Sequence, residues 1–275
     1  KIRSVNSGAI GCKKIAVFSG SGKIKLACSN NEISADNIFA QAFPKSAWGK
    51  RFLTAPTQNL PNNYYRIAVS DNAAVVKLNG VVQTGIINNF YYDFPISNQP
   101  QLIESDQPIM VAQYITTANA CGNTLIGSLG DPEMIYLSPV EQTIDEVIVN
   151  STPNANITQH WINVVIKSTA VPSFKITGSS GAYNFNTHPR DANFSYAQIS
   201  VTAGTHTLSA DSGFNAIAYG YGSFESYGYN AGTNLKDLYN FIAPINPLNI
   251  SAQNTACACT PFYYSITYPF QPLSL

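Results

Sequence analysis

Ser105-Asp-Gln-Pro-Ile-Met-Val-Ala-Gln-Tyr114 and Ala210-Asp-Ser-Gly-Phe-Asn-Ala-Ile-Ala-Tyr219 read as two copies of one element, and that reading decides the fold. Each has an Asp followed two residues later by Pro108 or Gly213, then an apolar stretch ending in Tyr, and each is preceded by an apolar residue, Ile103 or Leu208. The correspondence extends upstream. Pro44 and Pro139 stand before Arg66-Ile-Ala-Val69 and Trp161-Ile-Asn-Val164, and Leu78-Asn-Gly80 matches Ile176-Thr-Gly178 in the same order. Added residues in loops account for the drift in spacing, because a longer loop costs little closure entropy. The expectation is two tandem β units, with residues 44–115 superposing on 139–220 strand for strand.

Around these elements, alternating or β-branched and aromatic runs recur: Lys14 to Phe18, Tyr65 to Val69, Ala74 to Leu78, Phe90 to Phe94, Ile109 to Ile115, Met134 to Leu137, Glu146 to Val149, Ile162 to Lys167, Ser173 to Thr177, Tyr196 to Val201, His206 to Ser209 and Asn215 to Tyr219. Gly, Pro, Asn and Asp separate them. This is the pattern of antiparallel sandwiches or jelly rolls, not of βαβ units. Ser34-Ala-Asp-Asn-Ile-Phe-Ala-Gln41 is the best helical candidate and equally reads as an ordered loop. Ser19-Gly-Ser-Gly22 reads as a hairpin turn between Lys14 to Phe18 and Lys23 to Leu26. The expected division is residues 1–135 as the first unit with its N-terminal hairpin, 136–240 as the second, and 241–275 as a Pro-rich linker or edge segment leading toward a following module.

Composition bounds the function. Of 275 residues, 45% are hydrophobic, enough for buried cores, while 11% are charged, well under the roughly 25% of ordinary soluble domains. Asn, Ser, Thr and Gln carry the polar balance, the style of a secreted or cell-surface chain. Fifteen basic side chains balance 15 acidic ones, so no net field draws in nucleic acid or an anionic membrane. No apolar run approaches the roughly 20 residues that cross a bilayer. The chain opens on Lys1 with no signal-peptide pattern, and the expectation is a mature or excised fragment without its signal and anchor. The five cysteines lack zinc-site spacing. Cys12 and Cys28 flank the N-terminal hairpin and are either a cross-strand disulfide or two buried thiols. Cys121 has no evident partner, and Cys257-Ala-Cys259 lies in the Pro-rich tail.

Four blocks in order resemble the IgGFc-binding-protein N-terminal domain family: Asp36-Asn-Ile-Phe-Ala-Gln-Ala-Phe-Pro-Lys-Ser-Ala-Trp-Gly-Lys50; Ser105 to Tyr114; Gly130-Asp-Pro-Glu-Met134 with Leu137-Ser-Pro-Val-Glu-Gln142; and Ala216-Ile-Ala-Tyr-Gly-Tyr-Gly222 with Glu225-Ser-Tyr-Gly-Tyr-Asn-Ala-Gly232. They span roughly Gly11 to Tyr239. The resemblance implies an extracellular module of the kind found in a vertebrate mucus-associated protein and in large surface or secreted proteins of Bacteroidetes-type bacteria, and the Lys-poor, Asn-rich style suits the bacterial branch. Immunoglobulin binding, which the family name records for a vertebrate relative, is not carried over to this chain.

No constellation for catalysis or metal binding emerges. Ser179 and Ser180 lie between Gly178 and Gly181, but the fifth position of a nucleophile elbow is Ala182. Ser19-Gly-Ser-Gly-Lys23 lacks the upstream Gly and following Ser/Thr of a phosphate loop. His160, His188 and His206 lack metal-site spacing, and His206 reads as a half-exposed strand residue. Asp106 and Asp211 read as turn builders, each bonding the next two backbone groups. No cofactor is expected, and a structural calcium ion finds no Asp-rich loop. A secreted glycan-active hydrolase would need two carboxylates about 5–10 Å apart, drawn from Glu104, Asp106, Asp131, Glu133, Asp211 and Glu225. The densest unusual chemistry is aromatic: Tyr219, Tyr221, Tyr227 and Tyr229, with Trp48. Such rings suit stacking on sugars or docking a peptide, or else they fill the seam between the units. The expected function is non-catalytic adhesion or ligand recognition as part of a larger surface or secreted protein, with an extracellular glycan or glycoprotein and neighbouring domains of the parent chain as partners. The alternatives are the hydrolase or a purely structural spacer.

Overall fold

The computed structural model describes residues 2, 15–26, 35–116, 120–123, 129–177, 183–234, 241–245 and 263–267. The chain is all-β and antiparallel. An N-terminal hairpin pairs β1 (Phe18–Ile24) with β2 (Asp36–Gln41). A seven-stranded sheet follows, made of β3 (Gly49–Leu53), β4 (Asn63–Val69), β5 (Val76–Leu78), β6 (Val81–Val82), β7 (Tyr91–Ser97), β8 (Leu102–Ile115) and β9 (Glu133–Tyr136). A second contains β10 (Ile144–Ser151), β11 (Gln159–Lys167), β12 (Lys175–Ile176), β13 (Asn186–His188), β14 (Asp191–Val201), β15 (Gly204–Gly222) and β16 (Glu225–Gly232). In the tail, β17 (Phe241–Ile245) pairs with β18 (Tyr263–Thr267).

The two sheets follow one pairing scheme. Phe52 and Leu78 flank Ile103 on β8 as Val147 and Ile176 flank Leu208 on β15. Beyond this point both long strands slip register against their first partner, and pairing resumes at Gly49↔Ile109 and Ile144↔Phe214. The slip coincides with the Asp-Gln-Pro and Asp-Ser-Gly words, so these words are β-bulges that bend each long strand over its own core. The second halves then pair Val69↔Ile109 and Ile166↔Phe214 and reach the equivalent pairs Tyr64↔Tyr114 and Trp161↔Tyr219, beyond which the second ladder continues to Gln159↔Tyr221. Pro44 and Pro139 each enter a single 3-10 turn just before β3 and β10. The schemes part at the edges, where β6 pairs with β5 and β13 with β14.

Three expectations change. Arg66 is equivalent to Asn163, not Trp161, because Arg66 lies between Ala112 and Asp93 as Asn163 lies between Ile217 and Gln198. The sequence match is two residues out, a slip that keeps every side chain on the same face and leaves no trace in the alternation. Ser19–Gly22 is no turn but the middle of β1, and its partner is the helical candidate itself, which forms β2. Tertiary contacts override helix propensity there: Ile38 is buried against Leu26, Ala112 and Tyr114, and Phe39 stacks on Phe18 at 5.6 Å. Gly20 is required, since a Cβ there would fall 2.2 Å from the Ile38 carbonyl oxygen. Lastly, Asp106 acts at a distance: its Oδ1 accepts from the Val75 N–H at 2.8 Å and ties the bulge to the loop before β5. On the second unit the Asp211 N–H donates to Ser173 Oγ.

Core side chains divide accordingly. Ile67, Val76, Ile103, Ile109 and Val111 fill the first sandwich, and Ile162, Val164, Ile176, Leu208 and Phe214 fill the second. The first cluster also takes in Ile217, Tyr219 and Tyr221 from β15, so the outer face of the second sheet is buried against the first unit. An ion pair reinforces this joint: Arg51 donates to Asp191 Oδ2 at 2.5 Å and to Glu104 Oε1 at 3.2 Å. Asp191 is mostly buried, so Arg51→Ala is expected to cost about 1–2 kcal/mol in urea unfolding. Asp191→Ala should cost about as much, and the double variant less than the sum of the two.

Cys121 is disulfide-bonded, with its partner outside the described residues. Cys12 and Cys28, and with them the question of their pairing, also lie outside the described residues.

Candidate functional site

The seam shows why an Asn- and Gln-rich, charge-poor chain holds together. Residues 54–60, between β3 and β4, lie on the outer face of the second sheet, where side-chain amides grip their backbone. Asn163 Nδ2 donates to the Ala55 and Pro56 carbonyls at 3.2 and 2.9 Å, and Gln198 Nε2 reaches the Pro56 carbonyl at 2.6 Å. Tyr219 accepts from the Gln58 N–H at 2.8 Å and donates to Asn163 Oδ1 at 2.7 Å. His188 Nε2 meets the Thr54 carbonyl at 3.1 Å. Backbone groups that would be costly to bury unpaired are thereby satisfied without charge.

The aromatic candidates therefore separate into two sets. Tyr219 and Tyr221 are each 0% exposed and tilt against one another at 5.6 Å. They fill the seam, and as ligand-facing rings they are corrected to structural ones: the alternation along β15 turns them toward the first unit. Tyr227 and Tyr229, on β16, are half-buried and form a ledge, with ring centroids 6.1 Å apart and planes 27° from parallel. Their phenols are fixed. Tyr227 Oη sits 3.2 Å from His160 Nδ1, while Tyr229 accepts from the Asn150 N–H at 2.9 Å and donates to the Asn150 carbonyl at 2.8 Å. Burial, together with the nearby His206, lowers the His160 pKa, so the ring beside Tyr227 is neutral at neutral pH. Trp48 belongs to neither set. It is half-buried at the start of β3, its indole N–H donating to the Phe43 carbonyl at 3.2 Å. The adjoining Gly49 lies so close to Pro139 that a Cβ would meet it at 2.1 Å, which makes this a joint between the units.

His206 is buried, contrary to its half-exposed expectation, because its Nε2 closes on the Thr202 carbonyl at 2.8 Å across the turn into β15. Of the carboxylates proposed for a hydrolase, Glu104 and Asp106 line one concavity beside Val75 and Lys77. Glu104 is held by Arg51, and Asp106 caps Val75. Asp131 is buried, whereas Asp211 and Glu225 are exposed. Glu133 is half-buried on β9. Among the described residues, no three His, Cys, Asp or Glu side chains converge as a metal set.

Two concavities escape sequence reasoning. A polar cleft of about 550 Å³ opens beside the seam, where Asn62, Asn98, Gln99, Asn123 and Gln198 surround Tyr196. A second groove, of about 630 Å³, lies between the N-terminal hairpin and the first sheet. At its floor Arg66 donates to both oxygens of Asp93, at 2.6 and 2.9 Å, and lies 4.4 Å over the Tyr91 ring. Tyr64 and Tyr114 meet edge to face beside them at 5.5 Å. The Asp93 hydrogen bonds raise the Arg66 pKa. Burial works against ionisation of Asp93, but the hydrogen bonds from Arg66 and Tyr64 outweigh it and hold its pKa low. Opposite charges in the neighbouring runs Tyr65 to Val69 and Phe90 to Phe94 are the signal that could have disclosed this pair.

No helix among the described residues is long and apolar enough to cross a membrane. Neither curated proteins nor solved structures yield a match to this chain. The model of the IgGFc binding protein family does match, over residues 2–220, and this chain belongs to that family.

Proposed function

We infer that this chain is a non-catalytic recognition module of an extracellular or cell-surface protein, engaging a glycan or glycoprotein through the Tyr227–Tyr229 ledge. The observation that carries the reading is the pair of half-exposed, near-parallel rings whose phenols are already locked, so that stacking a sugar or peptide on them orders little more. Family membership supports a binding role, and the disulfide at Cys121 suits an oxidising compartment. The same reading divides the chain into units 1–135 and 136–240, with 241–275 leading on toward a neighbouring module. The amide-lined cleft at Asn98 and Gln99 is the second place to look, because its side chains offer paired donors and acceptors of the kind that sugar hydroxyls use.

A screen against immobilised polysaccharides, mucins and immunoglobulin Fc tests this reading. Saturable binding is expected for the wild type, with a loss of tenfold or more, about 1.4 kcal/mol, in a folded Tyr227→Ala/Tyr229→Ala variant. Binding that survives there but disappears in Asn98→Ala/Gln99→Ala moves the site to the cleft. Silence of the wild type across the screen favours the spacer.

A further inference from the structure

The Arg66 groove occupies the place on the first sheet that the peptide-binding part of the seam occupies on the second. Arg66, Asp93 and Tyr114 stand at the register positions of Asn163, Gln198 and Tyr219, the three side chains that grip residues 55–58. The remainder of the first sheet's outer face is already covered. Strand β9 packs on β16 at the seam, and on the first sheet β2 packs on β9, so the N-terminal hairpin covers what a preceding unit's last strand would cover. Among the described residues nothing equivalent to residues 55–58 fills the rest, and the groove is what they leave.

The gripped segment has its own counterpart. Ala55-Pro56-Thr57-Gln58-Asn59-Leu60 precedes β4 as Thr152-Pro153-Asn154-Ala155-Asn156-Ile157 precedes β11. Asn59 and Asn156 both adopt left-handed backbone, with φ of 66° and 57°, and Leu60 and Ile157 are both buried. Two differences separate them: Ala155 is left-handed as well, with φ of 51°, where Gln58 is not, and Pro56 is buried in the seam, whereas Pro153 and its neighbours through Asn156 are exposed.

We propose that the Arg66 groove binds the Thr152–Ile157 loop of a second copy of this chain, repeating between molecules the contact made once within each. Arg66 replaces the Asn163 amide as donor to the two carbonyls around Pro153, since a guanidinium has five N–H donors and gives two to Asp93. Tyr114 receives the N–H that Tyr219 receives in the seam. A contact of this kind joins two different surfaces, so it propagates head to tail. The N-terminal hairpin covers part of the receiving face and weakens the contact relative to the seam, as expected of a capping element at the end of a repeat array.

Sedimentation equilibrium of the whole chain tests this directly. The weight-average mass of the wild type is expected to rise with concentration. Arg66→Ala, which removes the donor from a half-exposed position, and Pro153→Arg, which places a cation on the exposed loop against Arg66, should each remain monomeric over the same range. Mixed one to one, these two variants should form a heterodimer and nothing larger, because one retains only a working loop and the other only a working groove. That recovery also shows both variants to be folded. A wild type that stays monomeric overturns the proposal, as does association that persists in either variant or a mixture that fails to pair. The glycan reading stands or falls separately, since Tyr227 and Tyr229 lie outside the groove.

Discussion

Tyr219→Ala is expected to destabilise the chain by about 3–5 kcal/mol, the largest loss from any single side chain in the seam. The ring is fully buried within the cluster that joins the two sandwiches, and truncation leaves a void between surfaces that cannot close independently. The phenol adds a polar loss, because the Gln58 N–H and Asn163 Oδ1 would both remain buried with one partner fewer. Tyr219→Phe isolates this second contribution and should cost about 1–3 kcal/mol. Guanidinium unfolding followed by tryptophan fluorescence reads both variants, since Trp161 lies directly opposite Tyr219 in the β11–β15 ladder. A loss under about 1 kcal/mol for the Ala variant would mean that the two sandwiches are energetically independent despite their shared cluster.

The seam also marks where sequence reading stops. The all-β class is legible because strands such as β4 alternate between buried and half-buried positions and because Gly, Pro and Asn interrupt the runs. The paired words at Asp106 and Asp211 point to the long strands, yet their role as bulges becomes visible only when the register slips at Ile109 and Phe214 are known. β2 is illegible for a different reason: its six residues bury Ile38 alone, too little for a period, and its strand state comes from pairing with β1. The grip of Asn163 and Gln198 on Pro56 joins residues more than a hundred positions apart through side-chain amides, which leave no pattern in a single sequence. For the same reason the tyrosines of β15 and β16 look like one patch in the sequence, whereas the fold buries the first two and leaves the last two half-exposed.

Between pH 8 and pH 5, Glu133 is expected to contribute about 2 kcal/mol of added stability as it takes up its proton. Burial above all, with the charge of Asp36 adding to it, raises its pKa to about 7 against the N–H bonds that Met134 and Gly228 offer its carboxylate. An acid with a folded pKa above its unfolded one, near 4.5, holds the proton more tightly when native. Stability from this group is therefore complete below about 4.5 and is lost as pH rises through about 7. Asp93 and Asp191, held low after their ion pairs outweigh burial, stay ionised across this range and do not contribute. His160 and His188 act in the opposite sense. Burial lowers both, so the native state prefers their neutral rings, and the stability they contribute is lost as pH falls through 6.5 and below. Only the difference between wild type and Glu133→Gln isolates the carboxylate. Urea midpoints for the variant should exceed wild type at pH 8 and converge with it at pH 5, and a constant offset across that range would rule the assignment out. Asp36 stands on β2, so the charged pair also strains the attachment of the hairpin to β9. Asp36→Asn should lower the Glu133 pKa, read from its carboxyl carbon shift by NMR, and slow amide exchange in β2 at pH 8 while leaving exchange at pH 5 unchanged.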